Sequence, residues 1–285
     1  KNDNNYNLPF EEWLFLKLYG PLERQEELIE FLNFWINSQY IKEEFFFMRY
    51  VDPQPHIRLR IRGDSNELYK ILTSFNNLVP ELKDKRLVNS YCIDTYIPET
   101  ERYGGANVMP YAEKLFHMDS CVVMGILSSF DMTQDKEKYG VISILQYLQA
   151  FGLSFEEQYK FLEANIDIKK YLEDFKKVKQ EFVTECDAYN NWSNLRKNRT
   201  LEQFLNCLEI RTEAVKMYIE KIILEESPTN IYDDIIGSVI HLHCNRLFGI
   251  NREFEQKIMN YAYRTLHGQK YLRKQMLNNE SNKKD

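Results

Sequence analysis

Residues 55–64 read PHIRLRIRGD, so that His56, Arg58, Arg60 and Arg62 alternate with Ile57, Leu59 and Ile61. Successive strand side chains point to opposite faces, which puts the histidine and three arginines in one row and the aliphatics in another. A guanidinium is a planar fork that grips carboxylate or phosphate through two bonds and stays charged at any working pH. Three in a row suit a polyanionic or enolate-like ligand; the competing reading is a solvated face interleaved with acidic neighbours. In YIPETERYGG (96–105), Pro98 ends a strand, Glu99 and Arg102 stand three apart in a turn, and Gly104-Gly105 permits close backbone approach. Loops at strand ends often carry function, although a local Glu-Arg pair at the surface is worth little. In SVIHLHCNRLFG (238–249), helical spacing sets Ser238, His241 and Asn245 on one face and turns His243 away. That argues against a two-histidine metal site. His241 is a candidate proton donor or acceptor, against the plainer reading of a satisfied core histidine.

These residues need elements to hold them. EEWLFLKLYG (11–20) is strand-like, and the segment 22–39 carries apolar residues at helical spacing. Segments 44–52 and 56–64 are rich in strand formers and separated by a Pro53-Gln54-Pro55 turn. Asp64-Ser65 caps a helix over NELYKILTSFNNLV, and 87–99 is a last strand. The order β-α-β-β-α-β predicts an α+β fold that opens with a ferredoxin-like antiparallel sheet, two helices on one face and the arginine row on the other. From about residue 110 the signal is helical, with candidate helices at 110–131, 136–151, 154–164, 166–190, 199–225, 230–248 and 250–278. The expected organisation is one domain over 1–285, with a sheet portion (1–105), a helical portion (106–278) and a disordered polar tail (279–285).

The totals narrow the partners. A charge of −6 and pI near 5.6 argue against a general nucleic-acid binder. Five dispersed cysteines with no Cys-x-x-Cys pair read as reduced thiols of a cytoplasmic protein, with no zinc site. No apolar run approaches the ~20 residues of a membrane span, and no signal-peptide pattern opens the chain. The first residue is Lys and KNDNNYN is polar, which suggests a fragment of a longer chain. Phosphate-loop, dinucleotide and common hydrolase signatures are missing from the sequence.

Taken together, FFFMRYVDPQPHIRLRIRG, YIPETERYGG and SVIHLHCNRLFG, preceded by EEWLFLKLYG, resemble the C-terminal domain of class I lantibiotic dehydratases. This is the glutamate-elimination domain, also called the thiopeptide-type bacteriocin biosynthesis domain, and the resemblance covers nearly the whole chain. It implies a lyase. In that family Ser and Thr of a ribosomal precursor peptide are esterified with glutamate from glutamyl-tRNA by a separate, larger domain; the elimination domain then expels glutamate, leaving dehydroalanine or dehydrobutyrine. The family's strand arginines match Arg58 and Arg60, its loop matches Glu99 and Arg102, and its helix histidine matches His241, with His243 as the competing match. Arg58, Arg60, Arg102 and His241 are thus the expected catalytic groups, and Glu99, His56, Arg62 and Asn245 the expected substrate-binding ones. The α-proton base is open among His241, Glu99 and the departing carboxylate. Neither metal nor organic cofactor is implied. The expected partners are the precursor peptide and a glutamylation domain; a homodimer is left open, as is contact with a membrane-bound biosynthetic complex through partners.

Two other functions compete. Pyridine synthases of thiopeptide pathways resemble the same domain but join two dehydroalanines in a formal [4+2] cycloaddition. A non-catalytic module would grip peptide or RNA on its sheet, with Phe45, Phe47 and Tyr96 as exposed stacking rings.

Overall fold

The structure is a computed structural model that describes residues 7–39, 44–225 and 229–281. Four strands, β1 (Trp13–Tyr19), β2 (Phe45–Val51), β3 (Pro55–Arg62) and β4 (Ser90–Asp94), form one sheet in the order β2-β3-β1-β4. Every neighbouring pair is antiparallel. Helix α1 (Gln25–Ser38) joins β1 to β2, and α2 (Ser65–Asp84) joins β3 to β4. Asp64 starts α2 with a reciprocal capping box to Glu67, satisfying amides that an uncapped first turn leaves bare. At the end of β1 only glycine fits: a Cβ on Gly20 would lie 2.0 Å from the Leu87 carbonyl oxygen.

The alternation in β3 holds. Ile57, Leu59 and Ile61 are fully buried beside Leu14, Leu16 and Leu18 of β1 and Phe45 and Phe47 of β2. The buried stripes of α1 and α2 close this core, with Trp35 edge-on to Phe75 (5.5 Å) and Phe75 edge-on to Tyr91 of β4 (5.3 Å). The opposite face carries cross-strand rows Phe46-Arg60-Phe15-Asp94, Met48-Arg58-Lys17-Cys92 and Tyr50-His56-Tyr19-Ser90. It is less open than expected, because His56 is buried and Phe116 from α3 (Met109–Ser129) packs edge-on against Phe46 at 5.5 Å.

The chain divides into two compact units, residues 1–130 with 217–250 and residues 131–216 with 251–285. In the first, α3 and α9 (Thr229–Phe248) serve the outer edge of β2. An edge strand leaves alternate backbone groups unpaired, and here side chains replace the missing neighbour. The Ser120 hydroxyl accepts from the Phe47 amide (3.2 Å), and Arg246 Nε donates to the Phe47 carbonyl (2.8 Å). His117 Nδ1 lies 3.1 Å from the Phe45 amide nitrogen. Asn245 accepts from the Arg49 amide (2.9 Å) and donates to the Arg49 carbonyl (3.0 Å), as a paired strand residue would.

The second unit contains α4 (Lys136–Ala150), α5 (Phe155–Ala164), α6 (Leu172–Glu185), α7 (Arg199–Glu209) and α10 (Arg252–Ser281). Three expectations are corrected. The single helix at 199–225 is two, α7 and α8 (Thr212–Leu224), broken where buried Arg211 turns its guanidinium onto the Tyr147 ring (3.4 Å) and Gln146 Oε1 (2.9 Å). The helix placed at 166–190 begins only at Leu172, after Tyr171 adopts a left-handed φ of 59°. Helix α10 runs to Ser281, into the segment expected to be a disordered tail, and 282–285 lie outside the described residues.

Candidate active site

Arg60 is the most unusual cation of the sheet. Its guanidinium carbon sits 4.3 Å from the Phe15 ring centre, 4.8 Å from Tyr96 and 5.2 Å from Phe46. Its Nε is sealed from solvent with no hydrogen-bond partner, and no carboxylate pairs with it among the described residues. Burial, partly offset by Tyr96 and Glu99 and reinforced by Arg58 and Arg246, draws its pKa down to about 10. It is still charged at neutral pH. A half-buried cation with its Nε sealed and no carboxylate partner interacts strongly with any anion that reaches it.

Arg58 stacks on the Tyr50 ring at 3.4 Å, and its Nε donates to His56 Nε2 (3.2 Å). Because Nε2 accepts, His56 carries its proton on Nδ1, which donates to the Gln54 carbonyl at 2.8 Å. Burial, together with Arg58, lowers the His56 pKa. His56 therefore orients Arg58 from below. Arg62 belongs to the same row but is neutralised: its Nε donates to Glu12 (2.8 Å) and Nη1 lies 3.4 Å from Glu44. Lys17 is likewise paired with Asp94. Of the three arginines in the row, Arg58 and Arg60 lack a carboxylate partner among the described residues.

The loop after β4 folds into a 3-10 turn, Thr100–Tyr103, followed by Gly104 and Gly105 at φ 98° and 102°, a region that favours glycine. The Gly105 amide donates back to Thr100 (2.8 Å), and Tyr218 donates to the Tyr103 carbonyl (2.9 Å), fixing the turn. Arg102 emerges from it with Nη1 bonded to Glu99 (3.0 Å) and Nε to Ser238 of α9 (3.0 Å). Its pKa is raised, with burial opposed by Tyr103, Glu99 and Tyr50. Glu99 also acts on Arg60, so the loop and the arginine row share one electrostatic field.

On α9, helical spacing sets His241, which is half-buried, one turn beyond Ser238 on the same face. His243 turns the other way, and its Nδ1 meets Asp119 of α3 at 2.8 Å. Arg246 binds the other Asp119 oxygen at 2.9 Å. Asn245, expected to bind substrate, has its amide bonded to the Arg49 backbone, and Arg62, expected likewise, is held by Glu12 and Glu44. Phe45, Phe47 and Tyr96 are all buried, so the rings proposed for stacking RNA are core residues. Tyr50, Phe15 and Asp119 were missed. Tyr50 becomes visible only with the β2–β3 register, which sets it opposite His56; Asp119 carries a fainter signal, an acid on an otherwise apolar helix stripe. Among the described residues, no group of three His, Cys, Asp or Glu could hold a metal ion.

A family model described as the C-terminal part of lantibiotic biosynthesis dehydratases matches residues 13–266, and the chain belongs to that family. The subtilin biosynthesis protein SpaB of Bacillus subtilis is 41% identical over an alignment of 274 residues that covers 93% of this chain and 26% of SpaB. The chain spans about a quarter of the length of the curated relatives it matches. Among solved structures, the tRNA-dependent lantibiotic dehydratase MibB from Microbispora sp. 107891 superposes with a TM-score of 0.81 at 21% identity, over 92% of this chain and 28% of MibB. The pyridine synthase TbtD from thiomuracin biosynthesis is more distant, with a TM-score of 0.58 at 12% identity over 90% of this chain and 98% of TbtD. At such identities both likenesses speak of fold.

Proposed function

We propose that this chain is a glutamate-eliminating lyase, the second half-reaction of a tRNA-dependent peptide dehydratase. The observation that carries the reading is the pair Arg58 and Arg60, cations on one strand face without carboxylate partners among the described residues, beside the Glu99–Arg102 loop. Family membership supports it. In the reaction a base takes the α-proton of a glutamylated Ser or Thr, the Cβ–O bond breaks, and glutamate departs with the electron pair as a carboxylate. Negative charge thus develops first as an enolate and then on the leaving group. Arg60, half-buried and without a carboxylate partner, is suited to the developing charge, while Arg58 and Arg102 suit the glutamyl carboxylates. Glu99 is engaged with Arg102, so His241, one turn beyond Ser238 on α9, and the departing carboxylate are the groups we assign to proton transfer.

We read the sheet, with its order β2-β3-β1-β4 and two crossover helices, as the ferredoxin-like split βαβ arrangement. The partners on this reading are a glutamylated precursor peptide and a glutamylation domain that uses glutamyl-tRNA, all in the cytoplasm. No described helix is long and apolar enough to cross a membrane.

The test is a synthetic peptide carrying glutamylated Ser, followed by mass spectrometry, alongside a bis-dehydroalanine peptide. Loss of the glutamate mass with formation of dehydroalanine is expected. Arg60→Ala and His241→Ala should each leave the ester intact, with losses of about 10²–10³ in rate. Cyclisation of the bis-dehydroalanine peptide, with the ester untouched, would transfer the assignment to the pyridine-forming class.

A further inference from the structure

Arg60 pairs with no carboxylate among the described residues, although Glu99 acts on it through space. Glu12 and Glu44 are held by Arg62, the next residue of the same row. Glu113 on α3 is buried and accepts a hydrogen bond from the hydroxyl of Tyr96, the ring beside Arg60, at 2.7 Å. That bond does two things. It occupies the carboxylate with a neutral donor, and it pins the Tyr96 ring, which Trp13 braces edge-on at 5.3 Å, where the ring centre lies 4.8 Å from the guanidinium. A face-on ring attracts a cation through its quadrupole without neutralising it. The guanidinium is thereby held in place while its charge remains uncompensated.

We propose that Tyr96, anchored by Glu113, is a positioning residue that fixes Arg60 as an uncompensated cation for the anionic group of the substrate, an inference that rests on the elimination reading above. Tyr96 touches Arg60 and acts through it. The groups facing Glu113 are Tyr96, Arg62, Glu12 and Glu44, and burial pushes its pKa up to about 7. An ionised Glu113 draws on the phenol hydrogen and enriches the ring beneath Arg60, so the hold tightens as pH rises through neutrality.

The experiment compares the full chain with Tyr96→Phe, Tyr96→Leu, Glu113→Gln and Arg60→Ala in steady-state elimination from the glutamylated peptide between pH 6 and 9, with thermal melts for each. Tyr96→Phe keeps the ring but frees it, and kcat should fall about threefold to tenfold with KM nearly unchanged. Tyr96→Leu should approach Arg60→Ala; the unmodified chain is expected to show a kcat step near pH 7, and Glu113→Gln should remove it. If Arg60→Ala abolishes elimination while Tyr96→Leu keeps kcat, the positioning role is overturned and the elimination reading stands. If Arg60→Ala eliminates at the original rate, that reading falls and takes the inference with it. Should Tyr96→Leu fail to fold, Tyr96→Phe decides: an unchanged kcat and an unchanged pH profile overturn the proposal.

Discussion

Arg58, Arg60 and Arg62 are identical in type and spacing, yet their surroundings divide them. Arg62 is about one-third exposed and shared between Glu12 and Glu44, so it acts as a surface ion pair at the end of the strand. Arg60, two residues earlier, has three aromatic rings and no hydrogen bond on Nε. Arg62→Ala is therefore expected to cost about 1 kcal/mol or less of stability and to leave elimination within about twofold, in contrast to Arg60→Ala. A melt and a single-turnover assay on the two variants check this, and equal losses of activity would undo the distinction. The alternation made the whole row legible from sequence, because period two is a geometric property of any strand. Which arginine is neutralised was not legible, since Glu12 and Glu44 come from β1's approach and β2's start and meet Arg62 only through the sheet register.

At the scale of elements, the first hundred residues were readable because strand and helix periods alternate cleanly and Asp64 and Glu67 announce α2 by a capping box. The attachment of α9 to the sheet was not. Its histidines drew attention as chemistry, whereas Asn245 and Arg246 hydrogen-bond to the backbone of β2 and His243 and Arg246 converge on Asp119. The separation between β2 and α9 is almost two hundred residues, and no local pattern encodes a contact at that range. Asn245 covers one donor and one acceptor of an edge strand, so its truncation leaves both without their partner in a buried seam. Asn245→Ala should destabilise by about 1–3 kcal/mol and loosen α9, which carries Ser238 and His241, relative to β2. Hydrogen exchange gives the sharpest readout: the Arg49 amide should lose protection first. Protection of Arg49 that survives the substitution, with an unchanged melt, would mean that another group holds this edge.

Across the whole molecule a net charge of −6 is compatible with the anion site proposed above, because the cations it relies on, Arg58 and Arg60, are few and without carboxylate partners among the described residues. Holding charges apart in this way has a cost that depends on pH, and Glu113 is where it falls. Burial lifts its pKa to about 7, against about 4.5 for the same group in the unfolded chain, while Tyr96 and Arg62 only partly offset that rise. Between these values the folded chain binds more protons than the unfolded one, so stability falls as pH rises from about 4.5 to about 7 and levels off above. The full separation corresponds to about 3 kcal/mol at most. Glu113→Gln has no proton to lose and is free of this slope, although both chains share every other titration. The Tm of the unmodified chain minus that of Glu113→Gln should therefore decline on going from pH 5 to pH 7.5, by roughly 2–4 °C for each kcal/mol. A difference that stays flat would mean that Glu113 titrates alike in both states, and that the carboxylate beneath Tyr96 is better solvated than its 6% exposure implies.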